Sequence, residues 1–426
     1  MSGGGGVRHI AVIGAGIEGV ASALELLRVG HSVTLIDPGE PGGEQAASYG
    51  NAGWLSSMSV LPPSTPGLWK KIPGFLADPL GPLAIRWSYL PKAAPWLLRY
   101  LRAGATEARL LKSAFALSAL LRDSSVLHAA LAAEAGCAPL IEQNGLMFVY
   151  PHRANFEAEA MAWRIRRQVG INWQELDEAE LRAREPDLNE RYQFGILIKE
   201  AGRCLSPGAY VEALFSHAKA LGATYCKAVA CGFRIEAGRL RAVRLADGGE
   251  VPCDGAVIAA GVRSAPLAAS VGNKIPLESE RGYHVMLSGS NVGPRGSMQL
   301  SDAKMVVNPM RDGLRAAGQV EIAGLNTAPN WKRAEILKNH LLKAFPDIAD
   351  PFPSAQTKFW MGHRPSTPDG LPCISLSRRC ADVVFAFGHG HVGLVAAPRT
   401  GRLVAQLLNG APPEIDITPF AATRFG

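Results

Sequence analysis

The segment Gly14-Ala15-Gly16-Ile17-Glu18-Gly19 places three glycines at the spacing a backbone needs to approach a phosphate, and Asp37 follows 23 residues after the first of them. Gly14 permits a tight turn, Gly16 lets backbone N–H groups reach a pyrophosphate at a helix N-terminus, and Gly19 lets helix and strand pack closely. A carboxylate at the position of Asp37 accepts hydrogen bonds from a ribose hydroxyl and disfavours a 2′-phosphate, which argues against NADP. The chemistry these residues suit is dinucleotide binding, and on their own they leave NAD and FAD equally open.

A glycine triplet carries this meaning only in the right frame. Arg8 to Ile13 reads as a short apolar strand, Val20 to Val29 as a helix stopped at Gly30, and Ser32 to Ile36 as a second apolar strand ending at Asp37. The order strand, glycine turn, helix, strand, acid predicts a Rossmann-type βαβ unit. A glycine-rich, small-residue loop without apolar periodicity follows from Pro38 to Gly53. Such a loop is suited to wrapping a cofactor closely.

The end of that loop, Ala47-Ser48-Tyr49-Gly50-Asn51-Ala52-Gly53, resembles the FAD-holding loop of D-amino-acid dehydrogenases and their relatives in the D-amino-acid oxidase and glycine oxidase superfamily. Three further segments resemble that superfamily in its own order. Asp254 to Leu267 is similar to its strand and alanine-glycine turn beside FAD, Trp360 to Ile374 to its arginine-bearing G-x-R-P-x-T-P-D-G-x-P stretch, and Val384 to Ala405 to its closing strand, glycine loop and helix. Pro62 to Arg102, with Trp69, Pro79-Leu80 and Trp96-Leu97-Leu98, resembles the dehydrogenase branch. Asp37 stands where the family more often has glutamate.

The resemblance implies FAD as cofactor and a set of residues to hold it. These are Gly14, Gly16, Ile17, Glu18, Gly19, Asp37, Pro38, Ser48, Asn51, Ala52, Gly53, Val229, Ala260, Gly261, Gly390, Val392, Gly393 and Leu394. It also implies oxidation of the C–N bond of a small amino acid, a D-amino acid or a D-proline-type secondary amine, to an imine by hydride transfer. A carboxylate is the natural handle on such a substrate, and a guanidinium grips it bidentately. Arg364, in a stretch stiffened by Pro365 and Pro368, is the first choice. His391 sits where glycine oxidases place a second substrate arginine, and either touches substrate or holds the loop; His389 is expected to support the loop beside the flavin. Tyr283 is expected to hydrogen-bond substrate, with Arg281 balancing charge nearby.

At 426 residues two interleaved domains are expected in an α/β chain (α+β overall). The expected FAD-binding part is 1–65, 151–275 and 360–426. The expected substrate-binding cap is 66–150 and 276–359, a mixed sheet with helices.

Composition narrows the class further. The seven cysteines are odd in number and contain no C-x-x-C pair, which argues against a disulfide framework and against a zinc or iron-sulfur centre. No histidine pair has metal-ligand spacing, so no metal is expected. The start, Met1 to Gly6, lacks the basic and apolar regions of a secretory signal and is expected to be disordered, which predicts a cytoplasmic protein.

The charge of +7 is unevenly placed. Between Pro66 and Lys112, Lys70, Lys71, Arg86, Lys92, Arg99, Arg102, Arg109 and Lys112 face only Asp78 and Glu107, among Trp69, Trp87, Tyr89, Trp96 and Tyr100. This stretch reads as a solvated helical face over buried aromatics or as a peripheral contact with the inner face of the cell membrane. Nucleic acid is not expected, because no standard binding motif accompanies the charge. Membrane contact would favour a quinone as electron acceptor. Oxygen, with release of hydrogen peroxide, is the alternative, and a flavin-bearing subunit passing electrons to partner chains is the third reading.

Overall fold

The computed structural model describes residues 6–71, 74, 81 and 83–426, with the Lys71 side chain outside that set. The expectations for Met1 to Gly5, Asp78 and Pro79-Leu80 lie outside the described residues.

The expected βαβ unit is present. His9–Ile13 is buried from Ile10 onward and pairs in parallel with Ser32–Ile36 on one side and Gly255–Ile258 on the other. Thr224–Cys226 and Val383–Phe387 extend the parallel sheet, and Cys373–Leu376 closes it antiparallel, in the order 224–226, 32–36, 9–13, 255–258, 383–387, 373–376. Strands sealed on both faces must be apolar throughout, and HIAVI, GAVI and VVFAF are. Helices Ile17–Arg28, Pro207–Ala220 and Gly393–Leu408 contribute to the core on one face of this sheet. The first and last of these meet closely because a Cβ at Gly401 would press on the Ala21 carbonyl.

A second, nine-stranded mixed sheet stands beside the first. One half of it, starting from an edge, is the antiparallel run Thr357–Ser366, Glu278–Leu287, Gly313–Ile322 and Met305–Met310. Helix Lys332–Ala344 packs its Ala334, Leu337 and Leu341 into the apolar core of this sheet.

The two sheets recruit their pieces differently from the expected boundaries. Gln174–Leu176 and Phe194–Ile198, expected on the cofactor side, pair into the nine-stranded sheet beside Leu146–Tyr150. Helix Ser124–Glu134, expected in the cap, anchors on Gly393–Leu408 instead: Ser124 Oγ donates to the Val395 carbonyl at 2.8 Å, and His128 Nε2 lies 2.7 Å from the Leu394 carbonyl. Thr357–Ser366 runs through the expected break at 359/360 as one strand. The reason is that an apolar strand or helix face advertises burial and not its partner.

In the basic stretch, helix Leu90–Ala103 buries Trp96 and Tyr100, stacked at 5.0 Å between ring centroids. Trp69, Trp87 and Leu98 stay exposed, at 63%, 63% and 68%, so the expected burial of aromatics covers only part of the set. Among the described residues no helix is long and apolar enough to cross a membrane.

Candidate active site

A cavity of about 680 Å³ runs from the glycine turn at Gly14 to the nine-stranded sheet. That lies within the roughly 300–1,000 Å³ of cofactor and ligand sites. At its base, Gly14 has φ +108°, and a Cβ there would collide with the Ala259 carbonyl; one at Gly19 would collide with the Gly14 carbonyl. Gly16 is different, because its Cβ would meet only Ser48 Oγ, at 3.4 Å. Of the three glycines, two shape the fold and one keeps the cavity floor open.

Asp37 accepts from Ala15 N–H and Gly39 N–H, both at 2.8 Å, one on each carboxylate oxygen. It therefore fixes the turn on both sides while each oxygen retains further acceptor capacity. Ser48 Oγ accepts from Ile17 N–H at 3.1 Å, and Asn51 Oδ1 from Gly53 N–H at 2.8 Å. Ile17, Glu18, Pro38, Ala52, Val229, Ala260, Gly261, Gly390, Gly393 and Leu394 line the same cavity. Gly19, Gly53 and Val392 do not: Gly19 and Gly53 serve close packing against Gly14 and Cys204, and the Val392 side chain is buried in an apolar cluster.

The far wall is built by two paired strands whose alternate residues face the cavity. Trp360, Gly362 and Arg364 alternate on one strand, opposite His284, Gly282 and Glu280 on the other. The Arg364 guanidinium lies over Gly282 so closely that a Cβ there would collide with it. Its Nη1 donates to the Gln319 carbonyl at 3.1 Å, and no described residue accepts from Nε or Nη2. The strand carrying Gln319 is irregular here: Gln319 has φ +62°, and the pairing register shifts between Arg281 and Tyr283. Such a bulge re-aims one carbonyl out of the ladder. Burial pulls the Arg364 pKa down, and the Glu280 carboxylate works the other way.

His391, on the loop after Val383–Phe387, lines the cavity and keeps a solvent-accessible surface. Burial first and Arg364 second hold its pKa at about 4, so it is uncharged at neutral pH. Gly390 N–H donates to the Pro365 carbonyl at 2.8 Å, which ties this loop to the Arg364 strand.

Tyr283 and Arg281 are both engaged within the protein. The Tyr283 hydroxyl donates to Glu321 Oε2 at 2.6 Å and accepts from Asn330 N–H, so its one donor is committed within the protein. Arg281 is fully buried, with Nε on the Gly324 carbonyl, Nη2 on the Thr327 carbonyl and Nη1 3.4 Å from Glu321. Arg281 braces the sheet, and Tyr283, though engaged with Glu321 and Asn330, also lines the cavity.

One residue at the site, Trp360, carried no role of its own in the sequence reading. The Trp360 ring fills the space that side chains at Gly50 and Gly362 would need, stacks on His284 at 5.0 Å and donates from Nε1 to the Glu44 carbonyl. The pattern W-x-G, with Gly50 far upstream, was the available signal. Glu18 faces His389, whose Nε2 is 3.3 Å from Glu18 Oε1 and 3.1 Å from Thr400 Oγ1. Both Glu18 oxygens and His389 Nδ1 are buried without a hydrogen-bond partner. Burial raises the Glu18 pKa well above the usual carboxylate range and lowers His389 to about 3, leaving the pair neutral. A neutral acid beside a helix N-terminus is compatible with a bound pyrophosphate, which a carboxylate would repel. Orphaned polar atoms, an open Gly16 and a cavity of this volume together fit a flavin dinucleotide.

A parallel sheet ending in a glycine turn, under a cavity whose far wall carries the partly free Arg364 guanidinium, is the arrangement of a dinucleotide-dependent oxidoreductase. The family profile described as FAD dependent oxidoreductase (DAO) matches residues 9–407, and the chain belongs to that family. It is 62% identical over 418 residues to D-amino-acid oxidase of Bradyrhizobium diazoefficiens, covering 98% of this chain and 99% of that one. It is 30% identical over 432 residues to D-amino acid dehydrogenase of Paramagnetospirillum magneticum, covering 98% of both. Among solved structures it is similar to L-proline dehydrogenase from P. horikoshii (TM-score 0.73, 18% identity, 98% of both chains) and to glycine oxidase from Geobacillus kaustophilus (0.72, 21%, 98% of both). These two likenesses speak to fold alone.

Proposed function

We propose that the protein oxidises a D-amino acid to its imine, with Arg364 as the carboxylate anchor. The observation that carries this reading is the Arg364 fork: Nη1 is held by Gln319 while Nε and Nη2 have no acceptor among the described residues. A bidentate carboxylate fits that vacancy, and anchoring it fixes the α-carbon in the cavity. Bound FAD supplies the hydride acceptor. The glycine turn, Asp37 and the loop Ser48 to Ala52 would hold it, with Val229, Ala260, Gly261 and the 390–394 loop around it. A neutral His391 beside Arg364 adds no positive charge near the substrate nitrogen, so the ammonium can lose its proton as oxidation requires. Water then converts the released imine to a keto acid and ammonia.

The substrate class is also supported by the relatives named above, which are a D-amino-acid oxidase and a D-amino acid dehydrogenase. The 62% relative favours oxygen as acceptor over the quinone expected from the sequence. The exposed Trp69 and Trp87 beside the cations of the 66–112 stretch keep a membrane-side acceptor as the second reading. Paired D- and L-amino acids, including proline derivatives, mixed anaerobically with the yellow protein provide the test. Bleaching of the flavin band by D-isomers alone supports the assignment, and bleaching by L-isomers alone overturns it. Hydrogen peroxide on admitting air then separates the two acceptors.

A further inference from the structure

On the outer side of helix Leu90–Ala103 lies a second cavity, of about 300 Å³, separate in its lining from the one described above. Arg99 and Arg102 reach it from that helix, Arg109 from Glu107–Leu121, and Arg424 from the C-terminal turn beside Phe425. Its only acid is Asp369. That carboxylate is already taken: Arg424 Nε lies 2.7 Å from Oδ2 and Nη2 3.3 Å from Oδ1. Arg424 is spent as well, since Nη1 donates to the Ala421 carbonyl and Nη2 to the Leu371 carbonyl, which leaves Arg99, Arg102 and Arg109 around one concave space with no acid of their own there.

Part of this has a structural explanation. Arg102 stands in the last turn of its helix, where cations are favoured, and Arg109, from the first turn of the next helix, donates from Nη1 to the Arg102 carbonyl. That does not account for Arg99, which makes no ion pair or hydrogen bond among the described residues, whereas Arg424 is placed by Asp369 and the Leu371 and Ala421 carbonyls. Arg99 and Arg102 are three residues apart and so share one face of the helix. Like charges gathered without an acid repel one another, and a polyvalent anion relieves that repulsion. A phosphate group offers several oxygens to several planar forks at once, which a single carboxylate does not.

We propose that this arginine-lined cavity is a binding site for a phosphate group, of a soluble phosphate compound or of an anionic lipid headgroup. The exposed Leu98, on the same helix face, provides the apolar contact a lipid would use. The site also touches the reaction site through the chain: Trp96 Nε1 of this helix donates to the Ser366 carbonyl, two residues beyond Arg364.

The test uses the flavin-loaded protein in two arms at matched ionic strength. In the first, inorganic phosphate is titrated and followed by the broadening of its phosphorus resonance, with acetate as the carboxylate control. In the second, flotation with phosphatidylglycerol vesicles is compared with phosphatidylcholine vesicles. Arg99→Ala/Arg102→Ala should weaken the positive arm at least tenfold, and Arg99→Lys/Arg102→Lys should restore only part of it. Because both side chains are exposed, flavin content and Tm should not move. Binding of phosphate without vesicles identifies a soluble ligand, and binding of the anionic vesicles identifies a headgroup. The proposal is overturned if neither arm is positive, if acetate binds as well as phosphate, or if the double alanine variant binds as the unmodified protein does.

Discussion

Glu280 and Arg364 stand directly opposite one another across the antiparallel strands 278–287 and 357–366, the carboxyl steadied by Ser366 Oγ at 2.8 Å. Burial raises the Glu280 pKa, with Ser366 and Arg364 pulling against it. As pH rises through that elevated value Glu280 ionises and competes with substrate for the guanidinium. KM for the amino acid should therefore climb with pH over that interval. In Glu280→Gln the climb should vanish, and a pH profile of KM on both proteins checks it.

Arg364→Ala removes the anchor outright, and Arg364→Lys keeps charge without the fork. Losing one partner of a closed charged pair costs about 2–5 kcal/mol, roughly thirty-fold to several thousand-fold in kcat/KM. Flavin content should hold and Tm should change little, since only the Gln319 bond is lost. Near-normal kcat/KM in the alanine variant would pass the role to His391.

Gly282→Ala tests the same anchor without touching it. The added methyl collides with the guanidinium, which must swing away from its place over the strand. KM should rise about tenfold or more, at about 1.4 kcal/mol per factor of ten, while the visible flavin spectrum remains. An unchanged KM would mean that the guanidinium has room to move without losing its grip.

At the cavity floor, Gly16→Val should leave the fold intact and yield colourless protein, because its Cβ meets only Ser48 Oγ at ordinary contact distance. Gly14→Ala should lose both flavin and thermal stability, since φ +108° and the Ala259 carbonyl oppose any side chain. Absorbance at the flavin band and a melting curve separate the two cases.

Glu18 gives a pH signature. Its folded pKa is raised by burial above the ordinary 4.5, so the native state holds a proton that the unfolded chain releases. Stability is then lost as pH climbs from the ordinary value toward the raised one, and is intact below both. Glu18→Gln should melt higher than the unmodified protein at pH 8, with the difference closing near pH 5. FAD affinity should fall at alkaline pH in the unmodified protein, as the new carboxylate repels pyrophosphate, and stay level in Glu18→Gln.

The dinucleotide unit was legible because steric necessity writes it locally: the sequence places Gly14, Gly16, Gly19 and Asp37 within one βαβ unit, where each need is short-range. The wall carrying Arg364 was legible through its prolines and the family likeness. The partners of Tyr283, Glu321 and Asn330, were not legible, because what a strand residue meets depends on pleat and bulge, and the bulge at Gln319 has no local signature. Trp360 gained its role from Gly50, 310 residues upstream, and Glu18 from His389 and Thr400, pairings that only the folded chain creates. The cap boundaries failed for a similar reason, since Phe194–Ile198 is equally apolar whichever sheet receives it.

One stretch of backbone belongs to both halves. Thr357–Ser366 is a strand of the nine-stranded sheet, Ser366 bridges to His389, and seven residues later Cys373–Leu376 is a strand of the other sheet. There is no slack between them for a hinge to use. The Arg364 guanidinium and the 389–391 loop are therefore set at one spacing, as two marks on a single rule. With Arg364 as the proposed carboxylate anchor, that spacing suits substrates whose amine-bearing carbon is bonded directly to the carboxylate and disfavours those whose amine lies one carbon further away.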